Sequence, residues 1–589
     1  MWHTYLGLFA IWAFLCNFRG LENYCSFFIY FKLTNDQIAD QFTLLSKLMD
    51  IHGLDSFKSK SYSIAAYNIE KLPGQASEMS EAELFSMKGI GNSTGKKILE
   101  MLATGRFPAL EEIIGKTPPG ILDMLQLKGL GPKKIAVIWN ELGIESVGEL
   151  EYACNENRLV ALKGFGAKTQ EAILQNIAYI KQNEGFFLWA EAEAISISLT
   201  KTLQDAFPAA AVIVAGDVRR QVETIDCIDF VTTIDKAALE GHFESMEGVE
   251  FVAGDAVVIK LPYHPLMRFH ITDQAGLYLK LFMTTGSEEF LAAFNAKYTL
   301  AAAPASEEEI FTANKLQFIP GALRESAAIL EKAANNAIPT LITKSDIRSI
   351  IHSHSTWSDG QYSIEQMAVA ARDQGFEYLV ISDHSQAAFY ANGLKPEQIA
   401  AQHIEVDALN KKLAPFKIFK SIEADILNDG SLDYTDQVLA TFDLVIASVH
   451  SNLKMSEEKA MARVMGAITN PYTTILGHPT GRLLLSRKGY PLDHKAIIDA
   501  CAANNVVIEI NAHPRRLDLD WRWIAYAIEK GVLLSVDPDA HSIAGYNDVY
   551  YGAMIAQKGG LTAKQNLSSY TLAEFEAFLA VNKERRKRS

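Results

Sequence analysis

Nine side chains between positions 352 and 541 have types and spacing suited to divalent metal ions: His352, His354, Asp359, His384, Glu423, His450, His478, Asp539 and His541. The set offers imidazoles and carboxylates and no thiolate, which suits borderline to hard ions such as Mn2+, Zn2+ or Fe2+ and exceeds what one ion takes up. The expectation is a cluster of two or three ions. Such a cluster polarises a phosphoester, lowers the pKa of a bridging water and clamps attacking and leaving oxygens.

The elements that must position these groups are seven short apolar runs, each stopping at polar residues: Ser349–His354, Tyr378–His384, Lys417–Asp425, Leu444–His450, Thr473–His478, Val506–Asn511 and Leu533–His541. Helical patterns such as Ser363–Gly375 and Asp493–Asn505 alternate with them. Repeated β-α units with short buried strands predict a parallel barrel, one unit short of eight. In such barrels the loops after the strands build one face, so the polar stops converge.

The chain has 589 residues, 49% of them hydrophobic, enough for several cores and a multidomain α/β protein. A net charge of −15 argues against DNA binding through overall charge, so any contact must come from local basic groups or backbone donors. The five cysteines have no CxxC spacing, which fits a reducing, cytoplasmic setting. Residues 1–32 are aromatic-rich, but the apolar stretch Tyr5–Cys16 is short for a membrane span, and no membrane partner is expected. They read as an atypical extension, with ordered sequence beginning near Thr34. A monomer is the simplest assembly.

Three segments of the N-terminal third repeat one shape, Lys-Gly-apolar-Gly followed by an amphipathic helix: Met87–Leu102, Leu127–Ile138 and Leu162–Leu174. Gly89, Gly91, Gly129, Gly131, Gly164 and Gly166 permit tight turns, and each following helix start offers unpaired N–H groups to an anion. Lys88, Lys128 and Lys163 precede the turns, while Lys97 and Lys133 add charge beside them. The pattern resembles the helix-hairpin-helix motif, which grips nucleic-acid phosphates without reading sequence.

The middle third, from the strand Ala210–Gly216 through Asp217–Ile234, resembles the nucleotidyltransferase palm of family X DNA polymerases. That resemblance implies Gly-Ser at the turn and two aspartates one residue apart for metal-assisted phosphoryl transfer. Here Gly216 is kept, but Asp217 replaces the serine and Cys227 the first aspartate, so only Asp229 survives. The third carboxylate position falls on Arg268 or His270, upstream of Thr285-Gly286-Ser287. A palm fold without nucleotide addition is the expectation. Arg219, Arg220 and the Thr-Gly-Ser turn are candidates for holding a DNA end.

The C-terminal motifs HSHSTWSDG, SDHS, IEADIL, ASVHS, GHPTGR and DAHS fill all nine positions of the PHP (polymerase and histidinol phosphatase) pattern. The resemblance implies one ion on His352, His354, Glu423 and Asp539, a second sharing Glu423 with His450 and His478, and a third on Asp359, His384 and His541. Catalytic roles fall to His352, His354, Glu423, His450, Asp539 and His541. Arg482, Arg515 and Arg516 are candidates for substrate phosphate, and His513 lies off the pattern.

From about Thr34 the chain is similar to bacterial family X polymerases with a C-terminal PHP domain. The implied organisation is a helical DNA-binding domain over 33–115, two further hairpins over 116–185, a palm and thumb-like domain over 186–330, a linker over 331–345 and a distorted (β/α)7 PHP barrel over 346–589. The implied function is a DNA-repair 3′–5′ exonuclease using Mn2+, with Zn2+ or Fe2+ as alternatives, acting on gapped, single-stranded or damaged DNA. A small-molecule phosphatase and an active gap-filling polymerase are the alternatives.

Overall fold

A computed structural model describes residues 33–588 apart from 73, 157, 163, 183, 184, 245, 247, 253, 255, 262 and 263. The extension over 1–32 and Lys163 lie outside the described residues. The chain divides into two compact units, Met1–Glu184 and Gly185–Ser589. Among the described residues no helix is long and apolar enough to cross a membrane.

The first unit is helical. Helix α1 (Asn35–Ile51) begins in a capping box, in which the Thr34 hydroxyl accepts from the Gln37 N–H and the Gln37 side chain accepts from the Thr34 N–H. Its residues Ile38, Phe42, Leu45 and Leu48 recur at helical spacing and are buried in the core. That core also takes Tyr62, Ala65 and Ile69 from α2 (Ser56–Glu70). It continues without a break to Ile177, so packing shows no seam near residue 115. Three later helices, α3 (Asn92–Thr104), α4 (Pro132–Leu142) and α5 (Ala167–Gln182), follow the three glycine turns.

The second unit opens with a five-stranded sheet of β1 (Val212–Ala215), β2 (Cys227–Thr232), β3 (Glu250–Val252), β4 (Val257–Lys260) and β5 (Leu266–Ile271), in the order β1-β2-β5-β4-β3. Alternation along β2 sends Ile228 and Phe230 into one core with Phe243 and Phe269, leaving Cys227 and Asp229 on the other face. Phe282, Phe290, Phe294 and Phe311 then build a helical cluster with the fully buried Arg324, whose Nη1 lies 2.5 Å from Glu307. Residues 303–344 supply part of this packed core. Within the expected linker over 331–345, Ile338 joins the phenylalanine cluster, and Ile342 is buried with its N–H donating to Leu561 O at 2.9 Å.

Seven parallel strands follow, β6 (Ser349–Ile350), β7 (Tyr378–Ile381), β8 (Lys417–Asp425), β9 (Leu444–Ser448), β10 (Ile475–Leu476), β11 (Val507–Asn511) and β12 (Leu534–Asp537), paired in chain order. The mouth closes through backbone bonds between the first and last units: the His354 N–H donates to Ala540 O at 2.8 Å and the Ala540 N–H to His352 O at 3.1 Å. Lower down, the segment Asn566–Ser569 fills the place of an eighth strand. The Arg348 N–H donates to Ser568 O and the Val536 N–H to Asn566 Oδ1, each at 2.8 Å. Tyr378, Val380, Phe419, Ile446 and Val507 point into the barrel, where Phe575 and Leu579 of the helix Leu572–Arg588 plug its floor. Each such buried large apolar side chain contributes about 1.5–3 kcal/mol. The upper interior is left to polar groups.

Sheet and barrel share an interface. Trp189 stacks on Tyr550 with centroids 6.2 Å apart and meets Tyr551 edge-on at 5.9 Å. Glu223, at the end of the turn after β1, accepts from Trp521 Nε1 (2.8 Å) and Arg522 Nη1 (2.6 Å) of the barrel. The buried Lys558 ammonium donates to Arg220 O (2.7 Å), pairs with Glu325 and sits 4.4 Å from the Trp521 ring centroid.

Candidate metal centre

The polar upper barrel gathers all nine expected ligands. Glu423, on β8 and 1% exposed, is the hub: its carboxylate lies 2.9 Å from His384 Nδ1, 3.0 Å from His478 Nε2, 3.1 Å from His450 Nε2 and 3.3 Å from His352 Nε2. Asp539 Oδ1 lies 3.2 Å from His354 Nε2 and 3.4 Å from His352 Nε2. Asp359 lies 3.5 Å from His541 Nε2 and 3.6 Å from His384 Nε2. Three groups offer ligand atoms within 4.8 Å of one another: His352, His354 and Asp539; His384, Glu423 and His450; and His354, Asp359, His384 and His541.

Several of these buried atoms, His352 Nε2, His354 Nδ1, His384 Nδ1, Glu423 Oε2 and His478 Nδ1, have no hydrogen-bond partner among the described residues. Orphaned buried acceptors are costly, typically about 1–3 kcal/mol each, and metal coordination removes that cost. The donor set therefore fits divalent ions. Its backbone is also strained: His352, His478 and Asp539 take φ of +59°, +22° and +52°, a region that disfavours side chains and is held only where surrounding structure enforces it.

Sequence reasoning missed the residues that orient these ligands. Glu509, fully buried on β11, lies 2.5 Å from His352 Nδ1, and its other oxygen accepts from the Asn511 side chain at 2.8 Å. Asp425 pairs with His450 Nδ1 in the same manner. Carboxylates behind metal-ligating histidines fix the ring and raise its basicity. The available signal was a charge inside an otherwise apolar strand, VVIEIN.

Burial opposes charge throughout, and the neighbours decide the outcome. Glu423 is held well below the carboxylate range by His450, His352 and His384, and Asp539 by His352 and His354. Against burial, Glu423 and Asp425 lift His450 to about 10, and Asp359 and Asp539 lift His541 to about 9. Glu509, Asp539 and Glu423 likewise raise His352 well above its ordinary value. Burial and the neighbouring His541 and His384 push His354 down to about 3. Metal uptake must displace protons from His352, His450 and His541. Calorimetric titration of metal-free protein with Mn2+, in buffers of different ionisation enthalpy, is expected to show proton release from these groups near neutral pH and weaker binding as pH falls. Proton-free uptake would contradict the ligand set.

The arginines need correction. Arg482, expected to contact substrate phosphate, instead donates to Asp520 Oδ2 at 2.6 Å, to Arg516 O at 2.9 Å and to Leu517 O, which commits its guanidinium to the loop after β11. Arg516 rather than Arg515 lies beside the cluster, its Nε 3.7 Å from Asp539 Oδ2, whereas Arg515 enters no ion pair among the described residues. In the five-stranded sheet, Arg219 is bound to Glu307 (2.6 Å) and Thr285 Oγ1 (3.0 Å), and Arg220 to Asp217, Glu325 and Thr285 O, so both brace the fold. Asp229 stands in register with Arg268, whose Nη1 is 3.5 Å away, and lies 2.7 Å from His270 Nε2. Burial pushes the Cys227 thiol up to about 12, so it is no thiolate near neutral pH. Gly216 has φ +58°, and a Cβ there would meet Asp229 Oδ2 at 2.4 Å.

In the helical unit the first glycine of each repeat, Gly89, Gly129 and Gly164, takes φ of +85°, +85° and +89°. The second glycines Gly91 and Gly131 are extended N-caps of α3 and α4 with no side-chain cap, leaving helix-start N–H groups for an anion. Gly166 precedes α5 in open space. Lys97 reaches Ser93 Oγ at 3.2 Å on α3, and Lys133 lies in the first turn of α4.

Family models match three stretches of the chain. A helix-hairpin-helix domain model matches residues 33–107, a SAM-like helix-hairpin-helix tandem model matches 121–177, and a PHP domain model matches 351–513. The DNA polymerase/3′-5′ exonuclease PolX of Bacillus subtilis (strain 168) is 33% identical over 557 residues, covering 91% of this chain and 97% of that protein. A probable phosphatase of Caldanaerobacter subterraneus is 30% identical over 205 residues, 32% of this chain and 74% of its own. The probable phosphatase YcdX of Escherichia coli is 27% identical over 207 residues, 33% of this chain and 78% of its own.

Proposed function

The chain belongs to the PolX family, and from that premise we propose that it is a DNA-repair nuclease, trimming 3′ ends at the metal centre of its PHP barrel while its palm adds no nucleotides. The observation that supports this reading is the gathering of nine metal-ligand side chains in the same chain as three glycine turns within helix-hairpin-helix domains. Helix-hairpin-helix domains bind DNA through backbone donors, so a net charge of −15 is no obstacle.

On this reading His352, His354, Glu423 and Asp539 would hold one ion, Glu423 with His450 and His478 a second, and Asp359, His384 and His541 a third. Mn2+ is the first choice, ahead of Zn2+ and Fe2+. When bound, such ions polarise the phosphodiester and supply hydroxide at neutral pH. The protein's part is to fix the ligands: Glu509 and Asp425 set the rings of His352 and His450, and Arg516 offers a guanidinium fork to the substrate phosphate. A cytoplasmic location accords with the buried, free thiols of Cys154, Cys227 and Cys501.

Incubation with Mn2+ and labelled single-stranded, gapped or abasic DNA, beside histidinol phosphate, tests the assignment. Shortening from the 3′ end is expected. Intact DNA with cleavage of the small ester would favour a phosphatase, the activity in the names of the relatives that cover about a third of this chain.

The glycine turns carry a separate prediction. Gly129 has open space around it, so Gly129→Val acts through its φ of +85° alone. It is expected to impose about 1–3 kcal/mol of local strain and to weaken DNA binding about tenfold, with a shallower salt dependence. Fluorescence anisotropy across a salt series checks this, and unchanged affinity would remove the second turn from the DNA interface.

A further inference from the structure

Beside the metal centre, residues 385–394 form a loop pinned at its base. The Leu394 N–H donates to His384 O at 2.8 Å, the Ala387 N–H to Asp433 Oδ2 at 2.7 Å and the Gln386 N–H to the Tyr434 hydroxyl at 3.1 Å. The loop closes so tightly that a Cβ at Gly393 would meet Ser385 O at 1.8 Å. Ala388 and Ala391 are buried beneath it, yet between them Phe389 and Tyr390 stand 85% and 61% exposed. The two rings meet edge-on, centroids 6.0 Å apart, and the Tyr390 ring lies 6.5 Å from that of His384.

Two large aromatic rings presented to water on a firmly held backbone are unfavourable unless a ligand covers them. The loop sequence SQAAFYANGL carries no charged side chain, so it offers ring faces and no counter-charge for phosphate. Tyr390 adjoins His384, which places the rings within one nucleotide's reach of a phosphodiester at the cluster.

We infer that Phe389 and Tyr390 are a stacking platform for the terminal nucleobase of the strand being cut, a role that rests on the nuclease reading above. Every base has a π-face, so such a platform serves any terminal nucleotide without reading sequence. A small phosphomonoester would leave the rings uncovered.

The test compares two single-stranded oligonucleotides, one ending in an ordinary 3′ nucleotide and one in a 3′ tetrahydrofuran residue that lacks the base. The wild-type protein with Mn2+ is expected to prefer the base-bearing end by about tenfold in kcat/KM, mostly through KM. In Phe389→Ala/Tyr390→Ala the preference should fall to about one, and Phe389→Trp should retain it. A preference unchanged in the double variant, or absent from the wild type, overturns the stacking role alone. If wild-type protein leaves both strands intact, the nuclease reading fails and the platform with it.

Discussion

Glu423→Ala is expected to lower phosphodiester hydrolysis by about a thousandfold or more, because it removes the carboxylate shared by four imidazoles within 3.3 Å. Charge stabilisation by bound ions amounts to several kcal/mol, and each 1.4 kcal/mol is about tenfold in rate. Metal content, read by mass spectrometry after dialysis, should fall in parallel. Glu509→Gln provides the contrast. It leaves every ligand in place and removes only the charge behind His352, so a loss of about 10- to 100-fold is expected, with metal affinity weakened rather than abolished. Equal and small effects of the two substitutions would mean that hydrolysis arises elsewhere.

Primer extension on a gapped duplex with dNTPs and Mg2+ or Mn2+ is expected to yield no product, a deficit of about a thousandfold or more against a palm that holds its metals. Hard cations require several oxygens in a defined shell. On the relevant face of β2 the structure offers Asp229 alone, and that carboxylate is taken up by His270 and approached by Arg268. Cys227 stays a buried thiol, and Asp217 is paired with Arg220. Cys227→Asp by itself should not restore addition, since Arg268 still faces Asp229. Templated addition by the wild-type chain at ordinary rates would overturn the reading.

Much of the barrel was legible because its strands are continuous apolar runs buried on both faces, and most of the candidate ligands stand at or near the ends of those runs. The seven strands begin within a residue or two of the expected runs, and the nine candidate ligands gather at one end of the barrel. Glu509 was hidden because its run is the one that ends in an amide, Asn511, and not in a metal-ligand type; a charge inside that buried strand is tolerated because His352 lies against it. Arg482 was misread for a related reason. Its partner Asp520 is 38 residues away, and nothing local distinguishes a structural guanidinium from one awaiting phosphate. Asn566–Ser569 closes the barrel through backbone and small polar side-chain bonds, which leave no hydrophobic period to read. The glycine turns were legible because a positive φ narrows the choice to glycine at a spacing that repeats.

The interface around Glu223, Trp521 and Lys558 bears on how such a chain evolves. On the proposed reading the palm has lost its chemistry, and an idle domain would ordinarily drift or be deleted. Here removal would bare Tyr550, Tyr551 and Trp521 and strip Lys558 of its partners Glu325 and the Arg220 carbonyl. Exposing so much aromatic surface to water is unfavourable. Selection on the barrel alone is therefore enough to retain the palm's shape while leaving its former catalytic positions free to change, so the ancestral architecture outlasts the activity that first shaped it.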